Sequence, residues 1–144
     1  MRKLSLLVLI VTTGWAANAG AVTVCDSDVS YNPALAHSLV GIWQGDFLGV
    51  MTSNNSNFRR CYGLVIERVE GDRVKVTRVW GRSARFLSFG LEFGAAVASF
   101  EATLVGNVLK FGNQPQIFRI DSSSMQGHYR DKSSEGDITL HKKQ

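Results

Sequence analysis

The side chains that could act as acids, bases, nucleophiles or metal ligands are few and scattered along the chain. Its only histidines are His37, His128 and His141, and no serine stands in a G-x-S-x-G pattern. Neither an H-E-x-x-H motif nor a glycine-rich phosphate loop is present. Asp26-Ser27-Asp28 starts like a calcium loop, but the turn glycine and the twelfth-position glutamate do not follow. We therefore predict no catalytic residues, no metal site and no cofactor, and we expect His128 and His141 to face solvent.

A basic segment is the next candidate for chemistry. Between residues 59 and 85, eight basic side chains stand against three acidic ones, a net charge of +5. The basic residues are Arg59, Arg60, Arg68, Arg73, Lys75, Arg78, Arg82 and Arg85. An acidic protein or an anionic envelope lipid could dock there, and the alternative is a solvated hairpin face. Without Arg2 and Lys3 of the leader described below, the formal net charge of +4 falls to about +2, so we predict no nucleic-acid partner.

Aromatic and arginine side chains form a third group. The apolar row Tyr62, Leu64, Ile66 ends at Arg60 and Arg68, so we expect one of these arginines at the mouth of a cavity, where it could hold a carboxylate or a phosphate. Trp80 precedes a glycine at a strand end, and we expect it to be exposed. The predicted ligand-binding residues, for a small apolar or anionic amphipathic ligand, are Trp43, Arg60, Tyr62, Arg68, Arg78, Trp80 and Tyr129. Their aromatic rings either line a cavity or fill it.

The elements that must position these residues are predicted to be strands. From residue 41 onward, polar and apolar residues alternate with a period of two, and Glu70-Gly71-Asp72 and Gly106-Asn107 are typical hairpin turns. The predicted strands are Ile42–Leu48, Arg60–Val69, Arg73–Trp80, Ala98–Val105, Val108–Phe111, Gln116–Asp121, Met125–Arg130 and Asp137–Lys142. One dry face and one wet face predict an all-β fold, a single antiparallel up-and-down β-barrel of about eight strands. The stretch 81–96 is either a further strand or a flap over the barrel opening.

The first residues are predicted to be a cleaved leader. Arg2 and Lys3 precede an apolar run that ends near Trp15, and small residues follow, which is the order of a secretory signal peptide. Ala19 and Ala21 each end an A-x-A pattern, so we expect cleavage after one of them. The predicted organisation is a signal peptide at 1–21, an N-terminal extension at 22–40 with a short helical turn, and the barrel at 41–144. We expect a product that does not span a membrane, because the apolar run is too short.

Two cysteines, Cys25 and Cys61, remain after the leader. In an oxidising compartment a disulfide is the default state of such a pair. We therefore predict a Cys25–Cys61 disulfide.

The segment Gly41-Ile42-Trp43 resembles the G-x-W motif on the first strand of lipocalin-like (calycin) barrels. A cysteine-containing strand follows, then a hairpin ending in Val79-Trp80-Gly81, and two late strands around Met125-Gln126-Gly127-His128-Tyr129 and Gly136-Asp137-Ile138-Thr139-Leu140. This order is similar to that of small exported bacterial proteins of lipocalin-like type.

The resemblance implies a barrel whose narrow end is closed by Trp43, with the indole N–H on a backbone carbonyl and a basic residue, Arg130 or Lys142, stacked on the ring. It also implies a periplasmic or secreted protein that binds a small ligand and is not an enzyme. The alternative function is a cell-envelope module, an inhibitor or accessory factor, that binds an acidic protein through its basic hairpin.

Overall fold

The computed structural model describes residues 20–34, 36–83, 93–112 and 116–143, and its regular elements there are all β-strands. In chain order they are β1 Gly20–Val24, β2 Ser27–Tyr31, β3 Gly41–Met51, β4 Asn57–Glu70, β5 Arg73–Ser83, β6 Ala96–Val105, β7 Val108–Lys110, β8 Ile117–Asp121, β9 Ser124–Arg130 and β10 Ser134–Lys142.

Strands β3 to β10 form a closed barrel in the order β10-β3-β4-β5-β6-β7-β8-β9, with every neighbouring pair antiparallel. The predicted up-and-down barrel is therefore confirmed, and all eight predicted strands are present with bounds that shift by at most three residues. Gly71 and Gly106 have φ of 61° and 59°, the left-handed conformation that tight hairpin turns require.

The interior of the barrel follows the predicted alternation. Because side chains along a strand point alternately to its two faces, each strand sends every second residue inward. The fully enclosed side chains include Trp43, Phe47, Tyr62, Leu64, Ile66, Val74, Val76, Leu109, Phe111, Phe118, Met125, Ile138 and Leu140. We call the end of the barrel that holds Gly41 the lower end, and the end that holds Ser83 and Ala96 the upper end.

Two β-bulges break the alternation on the β4–β5 pair. The register shifts between Arg60 and Tyr62 near the upper end, and again between Ile66 and Arg68 near the lower end. An inserted residue turns the following side chains to the other face of the sheet. Beyond Ile66 it is therefore Val69, and not Arg68, that packs against the core.

A second, two-stranded sheet lies on the outer wall of the barrel. β1 and β2 form a hairpin whose turn residues, Cys25 and Asp26, both have positive φ. Its apolar side packs on Val65 and Val79 of the barrel wall. The segment 22–40 was predicted as an extension, and no part of the hairpin was recognised from the sequence. Asp26-Ser27-Asp28 is its turn and the start of β2.

The predicted disulfide is present and ties this hairpin to the barrel. Cys25 in the turn of the hairpin is bonded to Cys61 on β4, with 5.6 Å between the Cα atoms. Val24 packs directly over Gly63, where a Cβ atom would lie 2.3 Å from the Val24 Cγ1 atom. The hairpin and the barrel wall are thus fitted to each other around one glycine and one covalent bond.

The predicted helical turn at 33–39 does not occur in the described part of that segment, which excludes residue 35. The Ala34 amide donates to the Glu67 carbonyl at 3.1 Å, and the Val40 amide donates to the His37 carbonyl at 3.0 Å. The Ala34 amide is therefore bonded to the barrel, and the Val40 amide closes a single turn.

Candidate ligand-binding site

Trp43 closes the lower end of the barrel. Its ring is fully buried, and its Nε1–H donates to the Leu39 carbonyl at 2.9 Å. The Lys142 ammonium lies 5.7 Å from the centre of the ring and donates to the Ser38 carbonyl at 2.7 Å. The indole and the lysine therefore hold residues 38–39 across the lower end, as the resemblance implied, and Lys142 rather than Arg130 is the basic residue.

Arg60 lies at the upper end. Its guanidinium is 4.7 Å from the centre of the Trp80 ring and 5.1 Å from that of Phe93, distances at which a cation is attracted to an aromatic face. Its Nε–H donates to the Gly81 carbonyl at 2.5 Å, and its Nη2–H donates to the Gly94 carbonyl at 2.7 Å. Arg60 thereby joins β5 to the segment that leads into β6, and burial lowers its pKa.

Below Arg60, a polar side chain from β4, one from β5 and one from the residue before β8 meet inside the barrel. The Tyr62 hydroxyl donates to Gln116 Oε1 at 3.2 Å, and Arg78 Nη1–H donates to the same oxygen at 3.3 Å. A guanidinium can only donate, so the amide atom facing it must be the oxygen, which fixes the orientation of the Gln116 side chain. Both Tyr62 and Gln116 are fully buried.

The other amide atom of Gln116, Nε2, is buried and has no hydrogen-bond acceptor within residues 20–34, 36–83, 93–112 and 116–143. A buried N–H group without a partner costs about 1–3 kcal/mol, and such groups are rare in folded proteins. In the upper half of the barrel, the described residues therefore leave a buried hydrogen-bond donor without an acceptor.

Aromatic rings surround this polar cluster. Trp80 meets Tyr62 edge-to-face with 4.5 Å between ring centres, and it meets Phe47 and Tyr129 at 5.3 Å. Phe100 on β6, the strand next to β5, and Phe111 are 4.8 Å apart, and the Arg78 guanidinium lies 5.7 Å from the Phe100 ring. The rings that were predicted either to line or to fill a cavity are thus in contact with one another, which favours a filled interior with little free volume.

The two phenols of this region stay protonated at neutral pH. Burial is the main reason that the pKa of Tyr62 is raised far above its ordinary value. Burial also raises the pKa of Tyr129 to about 12, aided by the hydrogen bond of its hydroxyl to Asp131 at 2.7 Å. Both residues therefore present hydroxyl groups that can donate.

Five of the seven predicted ligand-binding residues meet in the upper half of the barrel, and Trp43 and Arg68 do not. Arg60, Tyr62, Arg78, Trp80 and Tyr129 are neighbours there, while Trp43 forms the lower closure. Arg78 points into the interior, on the same face as Val76 and Trp80, and not to the rim.

Two of the predictions about these residues are wrong. Arg68 lies on the outer face near the lower end, where it pairs with Glu70 at 3.3 Å, because the bulge after Ile66 turns it outward. Trp80 was expected to be exposed and is 7% exposed, because β5 continues to Ser83 and Arg60 covers the ring. The predicted strand or flap at 81–96 begins with the end of β5, and its residues 84–92 lie outside the described part of the chain.

Gln116 was not predicted as a site residue, although the sequence contained a signal. It stands just before β8, two residues from the inward Phe118 and four from Ile120, so alternation places it on the inward face as a polar residue in an apolar row. Arg78 carried the same signal among Val74, Val76 and Trp80. Polar residues in the inward phase of a barrel strand are the sequence feature that identifies this cluster.

The basic hairpin is partly neutralised by acidic partners on its surface. Four of its cations form ion pairs with carboxylates: Arg59 with Asp46, Arg68 with Glu70, Arg73 with Glu101, and Lys75 with Glu67. The distances of the last three pairs are 3.3, 3.0 and 3.5 Å. An acidic partner would have to compete with these carboxylates for the same cations.

The outer surface has one histidine cluster. His128 lies between Asp137 and Glu135, at 2.9 and 3.0 Å from its two ring nitrogens. The hydrogen bond to Asp137 is the main reason that the pKa of His128 is raised. Within the described residues no group of three or more His, Cys, Asp or Glu side chains has the geometry to hold a metal ion.

No helix in the same part of the chain has the length and apolar character needed to cross a bilayer.

Comparison with known proteins gives no relative. No protein-family model, no curated protein and no solved structure matches this chain. Any assignment of function must therefore start from the geometry of the barrel interior.

Proposed function

We propose that the protein is an exported lipocalin-like barrel that binds a small amphipathic ligand, with an anionic or acceptor-bearing head group inside the upper half of the barrel. The observation that carries the proposal is the buried Gln116 Nε2 group, which has no acceptor among the described residues. A ligand carboxylate would supply the missing acceptor.

The surroundings determine what else the ligand must be. Aromatic rings cover the approach to the cluster from above, so the part of the ligand that follows the head group must be apolar. The close contacts between these rings leave little free volume, so the ligand must be small or must displace a ring. Phe93 lies against the Arg60 guanidinium, with 5.1 Å between the guanidinium and the ring centre.

Export is supported by two features of the chain. The Cys25–Cys61 disulfide is compatible with an oxidising compartment, which is where a leader of the predicted type would deliver the protein. Of the two predicted cleavage sites, the one after Ala19 keeps Gly20 and Ala21, which belong to β1. Cleavage after Ala21 would remove the residues that pair with Tyr31 and Ser30, so we favour cleavage after Ala19.

The experiment is a calorimetric titration with octanoate and with 1-octanol, which share a tail and differ in the head group. We expect octanoate to bind at least about tenfold more tightly, the effect of one charge-assisted hydrogen bond. Gln116→Glu places a carboxylate where the ligand head group would lie, and it should abolish octanoate binding. Arg130→Gln, which removes an exposed arginine outside the barrel, is the matched control and should bind as the unaltered protein does.

Two results would contradict the proposal. One is equal affinity for the acid and the alcohol, since the cluster would then contribute nothing to recognition. The other is octanoate binding that survives Gln116→Glu. Native mass spectrometry of protein isolated from the exporting cell provides an independent check, because a retained ligand appears there as an added mass.

A further inference from the structure

Arg60 differs from the four ion-paired cations of the basic hairpin in what it binds. Each of those four has a carboxylate partner. Within the part of the chain that the structure describes, the Arg60 guanidinium instead donates to two neutral acceptors, the Gly81 and Gly94 carbonyls. The side chain is half-buried. A cation that is partly withdrawn from water and has only neutral acceptors gains free energy when an anion pairs with it.

The two hydrogen bonds of Arg60 differ in their access to water. The bond to Gly81 of β5 is partly buried, whereas the bond to Gly94 is exposed. Gly94 lies outside the strands, and a Cβ atom on it would meet nothing within 4 Å, so the space beside it is open. The neighbouring Phe93 is bonded to Ser83 through both its amide and its carbonyl. A solute can therefore replace Gly94 on the guanidinium without detaching this segment from β5.

Arg60 also lies on the way from the upper end to the proposed head-group site. Its guanidinium is 4.7 Å from the centre of the Trp80 ring, and that ring is 4.5 Å from the ring of Tyr62. The Tyr62 hydroxyl in turn donates to Gln116. One indole and one phenol therefore separate the guanidinium from the Gln116 amide, and an anion that enters at the upper end meets Arg60 first.

We propose that Arg60 is the entry site for the carboxylate of the ligand, which replaces the Gly94 carbonyl on the guanidinium before the head group reaches Gln116. This inference rests on the proposed function and adds a step to it. A charge-assisted hydrogen bond is roughly twice as strong as one between neutral groups, so a carboxylate displaces a carbonyl more readily than a hydroxyl does. Arg60 thus selects anionic ligands by their rate of entry, whereas Gln116 selects them by the stability of the complex.

The first test uses a carboxylate that is too small to need the barrel interior. Sodium acetate and sodium chloride are titrated at equal ionic strength into the isotope-labelled protein, and NMR follows the Nε–H signal of Arg60. We expect a saturable shift with acetate, half complete on the order of 10 mM, and a much smaller shift with chloride. The Nε–H signal of Arg82, an exposed arginine at the same end, is the internal control and should respond alike to both salts. Equal responses of Arg60 to the two salts overturn the proposal.

The second test measures rate constants for octanoate and 1-octanol by stopped-flow tryptophan fluorescence. In the unaltered protein the acid should associate about tenfold faster than the alcohol. Arg60→Gln should make the two association rate constants equal, while the slower dissociation of octanoate that Gln116 provides persists. Arg82→Gln removes the same charge from the outer face and should keep the difference. A difference that survives Arg60→Gln, or one that both variants abolish equally, overturns the proposal.

Two further points keep the test decisive. If Arg60→Gln does not fold, Arg60→Lys takes its place: it keeps the charge but lacks the planar fork, and it should reduce the advantage of the acid by about threefold or more. Failure of the proposed function gives a different pattern. Equal affinity for acid and alcohol, together with an acetate-specific shift of Arg60, contradicts the Gln116 site and supports the entry site. If octanoate does not bind, the acetate titration decides alone.

Discussion

A tryptophan lies beneath a cation at each end of the barrel, but the two ends differ in what surrounds them. At the lower end the Trp43 indole N–H has a carbonyl partner, and the Lys142 ammonium has another. At the upper end Arg60 covers Trp80, and a polar cluster with an unsatisfied donor lies below it. At the lower end these polar groups are satisfied, whereas the upper half contains a buried donor that the described residues leave without an acceptor.

This difference explains why a ligand is expected in the upper half only. Packing that satisfies every polar group stabilises the fold and leaves nothing for a second molecule to contribute. A buried donor without an acceptor lowers stability in the free protein, and a ligand that supplies the acceptor recovers that free energy on binding. The four predictions below test this distinction, starting with the largest effect.

Replacing the tryptophan of the closed end should have the largest effect. Trp43→Ala removes a fully buried ring and the bond to Leu39, and it should lower the free energy of unfolding by about 3–5 kcal/mol. Urea denaturation followed by circular dichroism measures the change. Trp43→Phe keeps most of the ring and should cost clearly less. If the two variants were equally stable, the closure of the lower end would not depend on packing of the indole.

Arg60 should contribute more to the free energy of unfolding than Lys142 does. Arg60→Ala removes two hydrogen bonds to carbonyls and contacts with two rings, so it should cost about 2 kcal/mol. Lys142→Ala removes one hydrogen bond and a more distant ring contact, and should cost about 1 kcal/mol or less. The same urea titrations compare them. A larger loss for Lys142→Ala would mean that the upper end is not held by Arg60.

Two replacements of Gln116 should change the free energy of unfolding in opposite directions. Gln116→Glu removes the unsatisfied N–H and keeps an acceptor for Tyr62 and Arg78, so it should raise the free energy of unfolding by about 1 kcal/mol. Gln116→Leu removes the shared acceptor as well and should lower it by about 1–3 kcal/mol. Denaturant midpoints measured side by side decide the signs. If the Gln116→Glu variant were less stable, the unsatisfied N–H group of Gln116 would not be what lowers the stability of the protein.

The smallest effect is expected at His128, on the outer wall away from both ends. Hydrogen bonds to Asp137 and Glu135 raise its pKa above the ordinary 6.5, so they stabilise the fold fully below that value and progressively less as the pH rises through the folded pKa. The side chain is 54% exposed, which limits the contribution to less than about 1 kcal/mol. Unfolding free energies from pH 5.5 to 8.5 should fall less for His128→Asn than for the unaltered protein, and identical curves would contradict this.

The eight barrel strands were predictable because each obeys one local rule. Alternating apolar residues and glycine-containing turns such as Gly71-Asp72 and Gly106-Asn107 determine strand and hairpin without reference to the rest of the chain. The outer hairpin was missed because its turn, Cys25-Asp26, contains neither glycine nor asparagine and its strands have five residues each. An indirect signal existed, since Val65 continues the apolar run of β4 on the outer face and so requires a cover.

The sequence by itself determined the strands, their order in a closed barrel, the tryptophan that plugs it and the cysteine pair, since these follow from local periodicity, one short motif and the predicted redox compartment. Only the tertiary structure decided which way Arg68 points and which polar residues meet inside. A single bulged residue turns every later side chain of a strand to the other face, which is why Arg68 points outward. Tyr62, Arg78 and Gln116 come together only through the register of strands that are far apart in the chain.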